Sequence, residues 1–525
     1  MHFYGRTDAA FQWLFRKNIE TLHEGKHIML FNSSEFLIFF PIVTLIYFII
    51  PQKVKYIWLL IASYYFYMGW NPKYIVLLFT STLITYLSGI FIDVVPEKYS
   101  IKNQVRFKKI VVALSFTLNL GILFYFKYIN FAAGVLARVM AAAHINLVIP
   151  EVDVLLPVGI SFFTFQALSY TVDVYRGDIY AEKNFLRYAL YVSFFPQLVA
   201  GPIERSKNLL KQLARPFKFD FENVKEGLLR MLWGYFLKIV LADRIAIVVD
   251  TVFNAYTKYS GWYFIVATVL FAFQIYCDFA GYSTIAIGAA EIMGIRLMEN
   301  FDAPYTATTV ADFWRRWHIS LTSWFRDYLY IPLGGNRKGK IRKNLNRMIV
   351  FLASGLWHGA GIHFVVWGGL NGLFQVIGEY LMPVRTRIIK LLGLHDESLG
   401  FKLYKSLLTF CLVDFAWIYF RADGFRTSNT IVKSILHADN PWILFDGSLY
   451  NLGLDEKNFR LMLLCIAVLI VADILKNMGI CIRKTILEQD YIFRWIVFVF
   501  AVFFILTFGI WGPGYDAANF IYFQF

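Results

Sequence analysis

Met348–Gly378 reads MIVFLASGLWHGAGIHFVVWGGLNGLFQVIG, a 31-residue run without an Asp, Glu, Lys or Arg. A stretch of 18 or more apolar residues is read as membrane-spanning, because a polar backbone survives in lipid only when it is helically paired. This run is long enough to enter a bilayer, turn at Gly359-Ala360-Gly361 and come back. His358 stands at that turn. Counted from Met348 it lies roughly 15 Å in at 1.5 Å per residue, about half of a hydrocarbon core of roughly 30 Å. An imidazole at such a depth is costly unless it faces a polar cavity, so it is by default a functional candidate. His363, five residues on, reads as an ordinary helix-packing residue.

Composition carries the same message over the whole chain. Of 525 residues, 58% are hydrophobic, 19% aromatic and only 17% charged. A soluble protein of this length would divide into several domains with about a quarter of its residues charged. One large polytopic membrane domain over residues 29–525 fits better. The net charge of +15 comes from short basic clusters between apolar segments, the positive-inside pattern, which argues against nucleic acid as a partner. Cys277, Cys411, Cys465 and Cys481 are scattered singly, without CxxC spacing, and read as small core residues. No disulfide set or metal site is expected. No cleavable signal peptide is visible.

Residues 1–28 are mixed and charged, and apolar sequence begins abruptly at Met29. They read either as a helix lying on the membrane surface or as an extension ahead of a true start at Met29. Apolar stretches follow at Tyr56–Trp70, Tyr74–Ile92, Ile110–Phe126, Val154–Val172 and Tyr188–Ile203. Then come a long amphipathic helix around Val224–Phe253, the stretch Trp262–Ala290, the opening run, Ser406–Phe420, Leu461–Val471 and Trp495–Trp511. Basic clusters at Lys102–Lys109, Arg205–Lys218, Arg337–Arg347, Arg385–Lys390 and Lys476–Lys484 mark the cytoplasmic side, and Asp439–Glu456 the outer face. The parity of crossings requires Tyr188–Ile203 to be re-entrant, and Pro196 and Pro202 predict a broken segment there. Broken backbone at membrane depth is tolerated where it lines protein or a water-filled cavity, so two such segments imply a cytoplasmic funnel. No internal repeat is visible, whereas inverted halves would point to a secondary transporter.

The chemistry-bearing stretch is Asp312–Asn336, DFWRRWHISLTSWFRDYLYIPLGGN. Trp314, Trp317, His318, Leu321, Phe325 and Tyr328 recur at spacings of three and four, which predicts one broad helical face. Arg315, Arg316 and Arg326 punctuate it. One reading is an interfacial helix with an aromatic belt, its arginines on lipid headgroups. The other is a basic, aromatic-lined entrance for an anionic carrier such as coenzyme A, with Arg315, Arg316, Trp314 and Trp317 binding the donor. Other catalytic patterns are missing. There is no GxSxG elbow and no HExxH, and the residue five after His318 is Ser323 where a His-x4-Asp signature needs Asp. What remains is one deep imidazole, His358, with a second, His318, ahead of it; histidine suits general-base work near neutral pH. Asp278, Asp414 and Lys238, also in apolar stretches, read as internal ion pairs or helix-packing polar groups, and equally as cavity groups.

Five blocks then match a known family: LPVGISFFTFQALSYTVDVYRG (156–177), FFPQLVAGPIERS (194–206), FQIYCDFAGYSTIAIGAAEIMGIRLMENFDAPY (273–305), FWRRWHISLTSWFRDYLYIPLGGNRKG (313–339) and the WHGAG block at Trp357. The chain resembles the membrane-bound O-acyltransferase superfamily, most closely its alginate O-acetyltransferase branch, over nearly everything from Met29 on. The resemblance implies an all-α polytopic fold of about 11 (11–13) transmembrane helices, with re-entrant helices, around a membrane tunnel. It assigns the two family histidines to His358 and His318. It implies transfer of acetyl from a cytoplasmic thioester, acetyl-CoA or another acyl carrier, towards hydroxyls of an exported polysaccharide, with no permanently bound cofactor. The expected setting is the bacterial cytoplasmic membrane, among lipid, with acetyl passing to the polysaccharide either directly or through a periplasmic or extracellular SGNH-type acetyltransferase partner. Relatives that move D-alanine from a carrier protein to teichoic acid are the alternative within the class. A transporter or polysaccharide-export pore, with the histidines as a proton relay, is the alternative outside it.

Overall fold

The computed structural model describes residues 29–95, 100–145, 149–150, 152, 156–215, 217–393, 395–510 and 520–521. The extension 1–28 and the ends of two predicted stretches, at Val154 and Trp511, lie outside the described residues.

The described chain is helical throughout. In order it forms α1 (Ser34–Ile49), α2 (Lys55–Met68), α3 (Ile75–Asp93), α4 (Ile101–Lys127), α5 (Ile129–Ala142), α6 (Ile160–Arg176), α7 (Phe185–Ser193), α8 (Phe195–Leu198), α9 (Ser206–Leu213) and α10 (Phe221–Tyr235). A π-helical turn, Phe236–Ala242, leads into α11 (Asp243–Asn254), and the long α12 (Trp262–Ile292) follows. Next are α13 (Val310–Arg316) and α14 (Ile319–Phe325), a second π-helical turn at Arg326–Tyr330, α15 (Gly339–His358) and α16 (Ile362–Leu391). The chain closes with α17 (Leu399–Arg421), α18 (Phe425–Leu436), α19 (Glu456–Asn477), α20 (Ile482–Leu487) and α21 (Tyr491–Phe508).

Among the described residues six helices are long and apolar enough to cross a membrane: Pro72–Asp93, α4, α12, α17, α19 and α21; α1 and α5 are shorter apolar helices. Burial sorts them. Of the most apolar window, 78% is buried in α12 and 6% in α21, so α12 is the central post and α21 a peripheral helix whose apolar surface needs lipid. The protein is an all-α, multi-pass membrane protein.

Glycines set the closest helix approaches. A β-carbon on Gly234 of α10 would stand 2.7 Å from the Gly281 carbonyl oxygen of α12, and one on Gly227 would stand 2.6 Å from that of Gly288. Two glycine pairs seven residues apart therefore bring the α10 and α12 backbones into direct contact. Without water to drive association in lipid, such small-residue seams supply the packing. A Gly234→Leu change is expected to cost about 3 kcal/mol or more through overpacking against backbone. Thermal unfolding in detergent checks this: a midpoint equal to wild type would show that the seam carries little.

The opening run folds as a hairpin. α15 ends at His358, Gly359–Gly361 form the extended turn, and α16 returns. A β-carbon on Gly355 would lie 2.3 Å from the Phe364 carbonyl oxygen and one on Gly368 would lie 2.2 Å from that of Phe351, so the two legs touch along their backbones. Beyond the apolar run, Lys343 and Arg347 of α15 grip Glu379 of α16. The Lys343 hydrogen bond, aided by that of Arg347, holds this carboxyl below its usual range.

Elsewhere the fold corrects the sequence reading. The break around Pro196 is present: α7 stops at Ser193, α8 is one short turn, and the chain runs on without helix to Ser206. The stretch from Asp312 is not one helical face. His318 takes φ 44°, ψ 55° and separates α13 from α14, so the residues on either side of it project along different axes. The cysteines divide: Cys277 and Cys465 are buried, whereas Cys411, on an outward face of α17, and Cys481, at the N-cap of α20, are exposed. Lys238, turned inward by the first π-helical turn, bridges Asp243 at 2.8 Å and Asp278 at 2.6 Å. Asp278 also accepts from the Ile521 backbone N–H at 2.7 Å, which ties the end of the chain to α12. These groups form an internal ion cluster. Asp414 buries its Oδ1 without a hydrogen-bond partner among the described residues.

Candidate active site

Two buried imidazoles converge on one indole. His358 is 4% exposed and His318 1%. The ring centroid of Trp357 lies 4.9 Å from that of His358 and 6.0 Å from that of His318. His358 is boxed by Trp367 at 4.9 Å and Phe420 at 5.3 Å, and His318 by Phe279 at 4.6 Å and Phe162 at 6.2 Å. These edge and stacked contacts leave each imidazole little rotational freedom.

The end of α15 is held from outside its own hairpin. Its last carbonyls lack intrahelical donors. Lys127 Nζ donates to the Trp357 and His358 carbonyls at 2.8 and 3.0 Å, and Tyr128 Oη donates to that of Leu356 at 2.7 Å. A cation at a helix C-terminus also complements the helix dipole. A cavity of about 60 Å³ opens here, lined by Lys127, Gly159, Ser161, Phe162, Trp357 and His358 among others. That is room for a few waters or the reacting end of a substrate.

His318 is fixed by a different device. The segment after α12 runs beside it: Ile319 N–H donates to the Asn300 carbonyl at 2.9 Å, and Asp302 N–H to that of Arg316 at 2.9 Å. The Asn300 side chain sits under the imidazole. Its Oδ1 accepts from the Ser320 backbone N–H at 3.2 Å and from the Ser320 hydroxyl at 2.9 Å, while its Nδ2 donates to Ser283 Oγ at 3.1 Å. A backbone N–H can only donate, so the atom facing Ser320 is the amide oxygen. His318 Nδ1 lies 3.1 Å from that same oxygen and must therefore carry the proton. Nε2 is then the basic nitrogen of the neutral ring. The left-handed backbone at His318 is a strained state, of order 1–3 kcal/mol, of the kind that clusters at functional sites.

The four residues expected to bind the donor separate. Trp314 and Trp317 are core residues, 6% and 1% exposed; Trp314 Nε1 donates to Asn371 Oδ1 at 3.1 Å and Trp317 packs on Trp417 at 5.2 Å. Arg316 is held by Asp312 at 3.1 Å and Asn477 at 2.8 Å, whereas Arg315 is exposed. The two indoles thus face the core while Arg315 lies outside, and the break at His318 sets all four apart from Leu321, Phe325 and Tyr328. His363 is half-buried against Phe364, at 4.2 Å. The sequence reading missed Asn300, Ser320 and Lys127. Asn300 falls within the ENFDAPY portion of a family block, yet nothing in an 18-residue separation links it to His318.

The fold thus places two buried imidazoles side by side inside a multi-pass helical membrane protein. Residues 181–390 match the family described as MBOAT, membrane-bound O-acyltransferase family. The chain is 37% identical over 403 residues to "Probable alginate O-acetylase AlgI" of Pseudomonas putida, covering 76% of this chain and 79% of that protein. It is 32% identical over 447 residues to "Peptidoglycan O-acetyltransferase" of Helicobacter pylori, covering 78% and 80%. A "Teichoic acid D-alanyltransferase" of Streptococcus thermophilus is 30% identical over 255 residues, 44% of this chain and 59% of that protein. The chain belongs to the membrane-bound O-acyltransferase family, in its alginate O-acetylase-like branch, and is an enzyme of that class; the transporter alternative gives way.

Proposed function

We propose that this protein is an O-acetyltransferase of the bacterial cytoplasmic membrane that moves acetyl from a cytoplasmic thioester, acetyl-CoA or an acyl carrier, towards hydroxyls of an exported polysaccharide. Convergence of His358 and His318 on Trp357 beside a small cavity carries the reading. His358 takes the proton of the attacking hydroxyl, whose oxygen forms the new ester bond as the thioester C–S bond breaks; the departing thiolate takes up a proton. His318 presents Nε2 as a hydrogen-bond acceptor. A neutral imidazole in that tautomer holds a hydroxyl, whose proton it accepts in a hydrogen bond, and cannot polarise a carbonyl oxygen. This gives His318 the task of orienting the acceptor. The chain's similarity to alginate and peptidoglycan O-acetylating proteins supports a glycan acceptor. Onward transfer through a periplasmic or extracellular SGNH-type acetyltransferase belongs to the same proposal.

The test is purified protein in liposomes with acetyl-labelled coenzyme A inside and alginate or peptidoglycan fragments outside, with and without a soluble SGNH-type acetyltransferase added to them. Label on glycan hydroxyls, absent in a His358→Ala preparation, is the expected result. Label transferred only from a D-alanyl carrier protein would replace the reading with its alternative.

A further inference from the structure

A second site lies away from the histidines. A cavity of about 630 Å³ opens where the first turns of α2 meet α7, α9 and the loops after α9 and α12, and five cations line it: Lys53, Lys55, Arg187, Arg215 and Arg296. That is within the size range of small-molecule sites. Arg187 is paired with Glu182 at 3.3 Å. Among the described residues no carboxylate pairs with Lys53, Lys55, Arg215 or Arg296.

Lys55 is the telling member. It is 7% exposed, and its Nζ donates to the Phe217 carbonyl at 3.2 Å and lies 4.7 Å from the Tyr47 ring centroid. A buried ammonium held by one carbonyl and two aromatic faces, Tyr47 and, at 5.6 Å, Phe48, without a carboxylate, is an expensive arrangement that an anion would complete. The walls are built to last. Gln52 Oε1 accepts from the Phe217 N–H at 3.1 Å, and Gln212 both donates to the Arg296 carbonyl at 2.9 Å and accepts from its N–H at 2.8 Å. These pairs fix Phe217 and Arg296, on the loops after α9 and α12, at the rim. Arg215 belongs to the basic cluster assigned to the cytoplasmic side, and basic pockets between membrane helices on that side suit phosphate-bearing groups. The pocket is not the reaction site: α2 runs from Lys55 in its wall towards Trp70 in the wall of the His358 cavity, roughly 20 Å along the helix at 1.5 Å per residue.

We infer that this pocket binds a phosphate-bearing anion at the cytoplasmic face, either an anionic phospholipid headgroup or the phosphates of a coenzyme A thioester. The thioester source rests on the acyl-transfer reading; the headgroup source does not. Arg215 and Arg296 are exposed, so the double change Arg215→Gln with Arg296→Gln is a mild variant for folding. Each guanidinium lost should remove a charge-assisted contact, so affinity should fall at least about tenfold. Two probes are read on the full-length protein: retention of phosphatidylglycerol over phosphatidylcholine by native mass spectrometry, and coenzyme A binding by calorimetry. A fall in phosphatidylglycerol retention alone assigns the headgroup, and a fall in coenzyme A affinity alone assigns the thioester. Both probes unchanged in the double variant, with Lys55→Gln also unchanged, overturns the site. Acyl transfer by the wild type is measured in parallel. If that fails while phosphatidylglycerol retention still responds, the proposed function falls and the anion site stands.

Discussion

A His358→Ala protein is expected to insert and fold but to transfer acyl groups at a rate lowered by roughly 10²–10⁴-fold, the usual contribution of a positioned general base. The imidazole closes α15 beside the cavity, boxed by Trp357, Trp367 and Phe420, and Lys127 grips the carbonyls of its turn. Those carbonyl contacts are to backbone, so they survive the substitution. Removing the ring leaves a void among the three aromatics and should cost about 1–3 kcal/mol, well short of a large aromatic truncation. Loss of rate should therefore far exceed loss of protein. The measurement is acetate on isolated polysaccharide, normalised to inserted protein, with His363→Ala as a control for disturbing the same turn. Near-normal acetylation in a well-expressed His358→Ala strain would end the general-base role.

Asn300 carries the second large effect. Asn300→Leu keeps the branched shape, with bulkier methyl ends, but removes the oxygen that accepts from His318 Nδ1, Ser320 N–H and Ser320 Oγ. A buried donor stripped of its acceptor costs about 1–3 kcal/mol, or a rate loss of roughly 5- to 150-fold if that energy is spent on orienting His318. Asn300→Asp retains an acceptor oxygen in the same place and should recover most of the rate. The loss should fall on kcat, with the KM for the acyl donor little changed, since Asn300 acts through the imidazole. Equal losses in the Leu and Asp variants would mean that Asn300 serves packing only, and an unimpaired Leu variant would remove it from the site altogether.

Much of this protein is legible from its residues in order. Membrane residence follows from runs too long and too apolar for any other solvent, and the hairpin turn after His358 follows from glycines interrupting one such run. The broken segment at Pro196 was readable because proline removes a backbone donor and restricts its neighbour. These are local effects, written in consecutive positions. The family blocks add both histidines, but only as two imidazoles 40 residues apart.

Local spacing failed from Asp312 on, where a regular rhythm of aromatics and arginines suggested one continuous helix. Pairing with Asn300 and Asp302 holds His318 at positive φ, and that strand-like contact, made with a segment a dozen residues and more upstream, outweighs helical propensity. The same contact delivers the Asn300 amide to Nδ1 and so decides which imidazole nitrogen is basic. Lys127 reaches the end of α15 from 230 residues earlier in the chain, and the basic pocket gathers cations from four separate stretches. Sequence alone determined what each segment is made of and which solvent it needs. Which polar atoms meet inside, and hence what each histidine can do, was decided only when the packed helices brought distant donors and acceptors within hydrogen-bond reach.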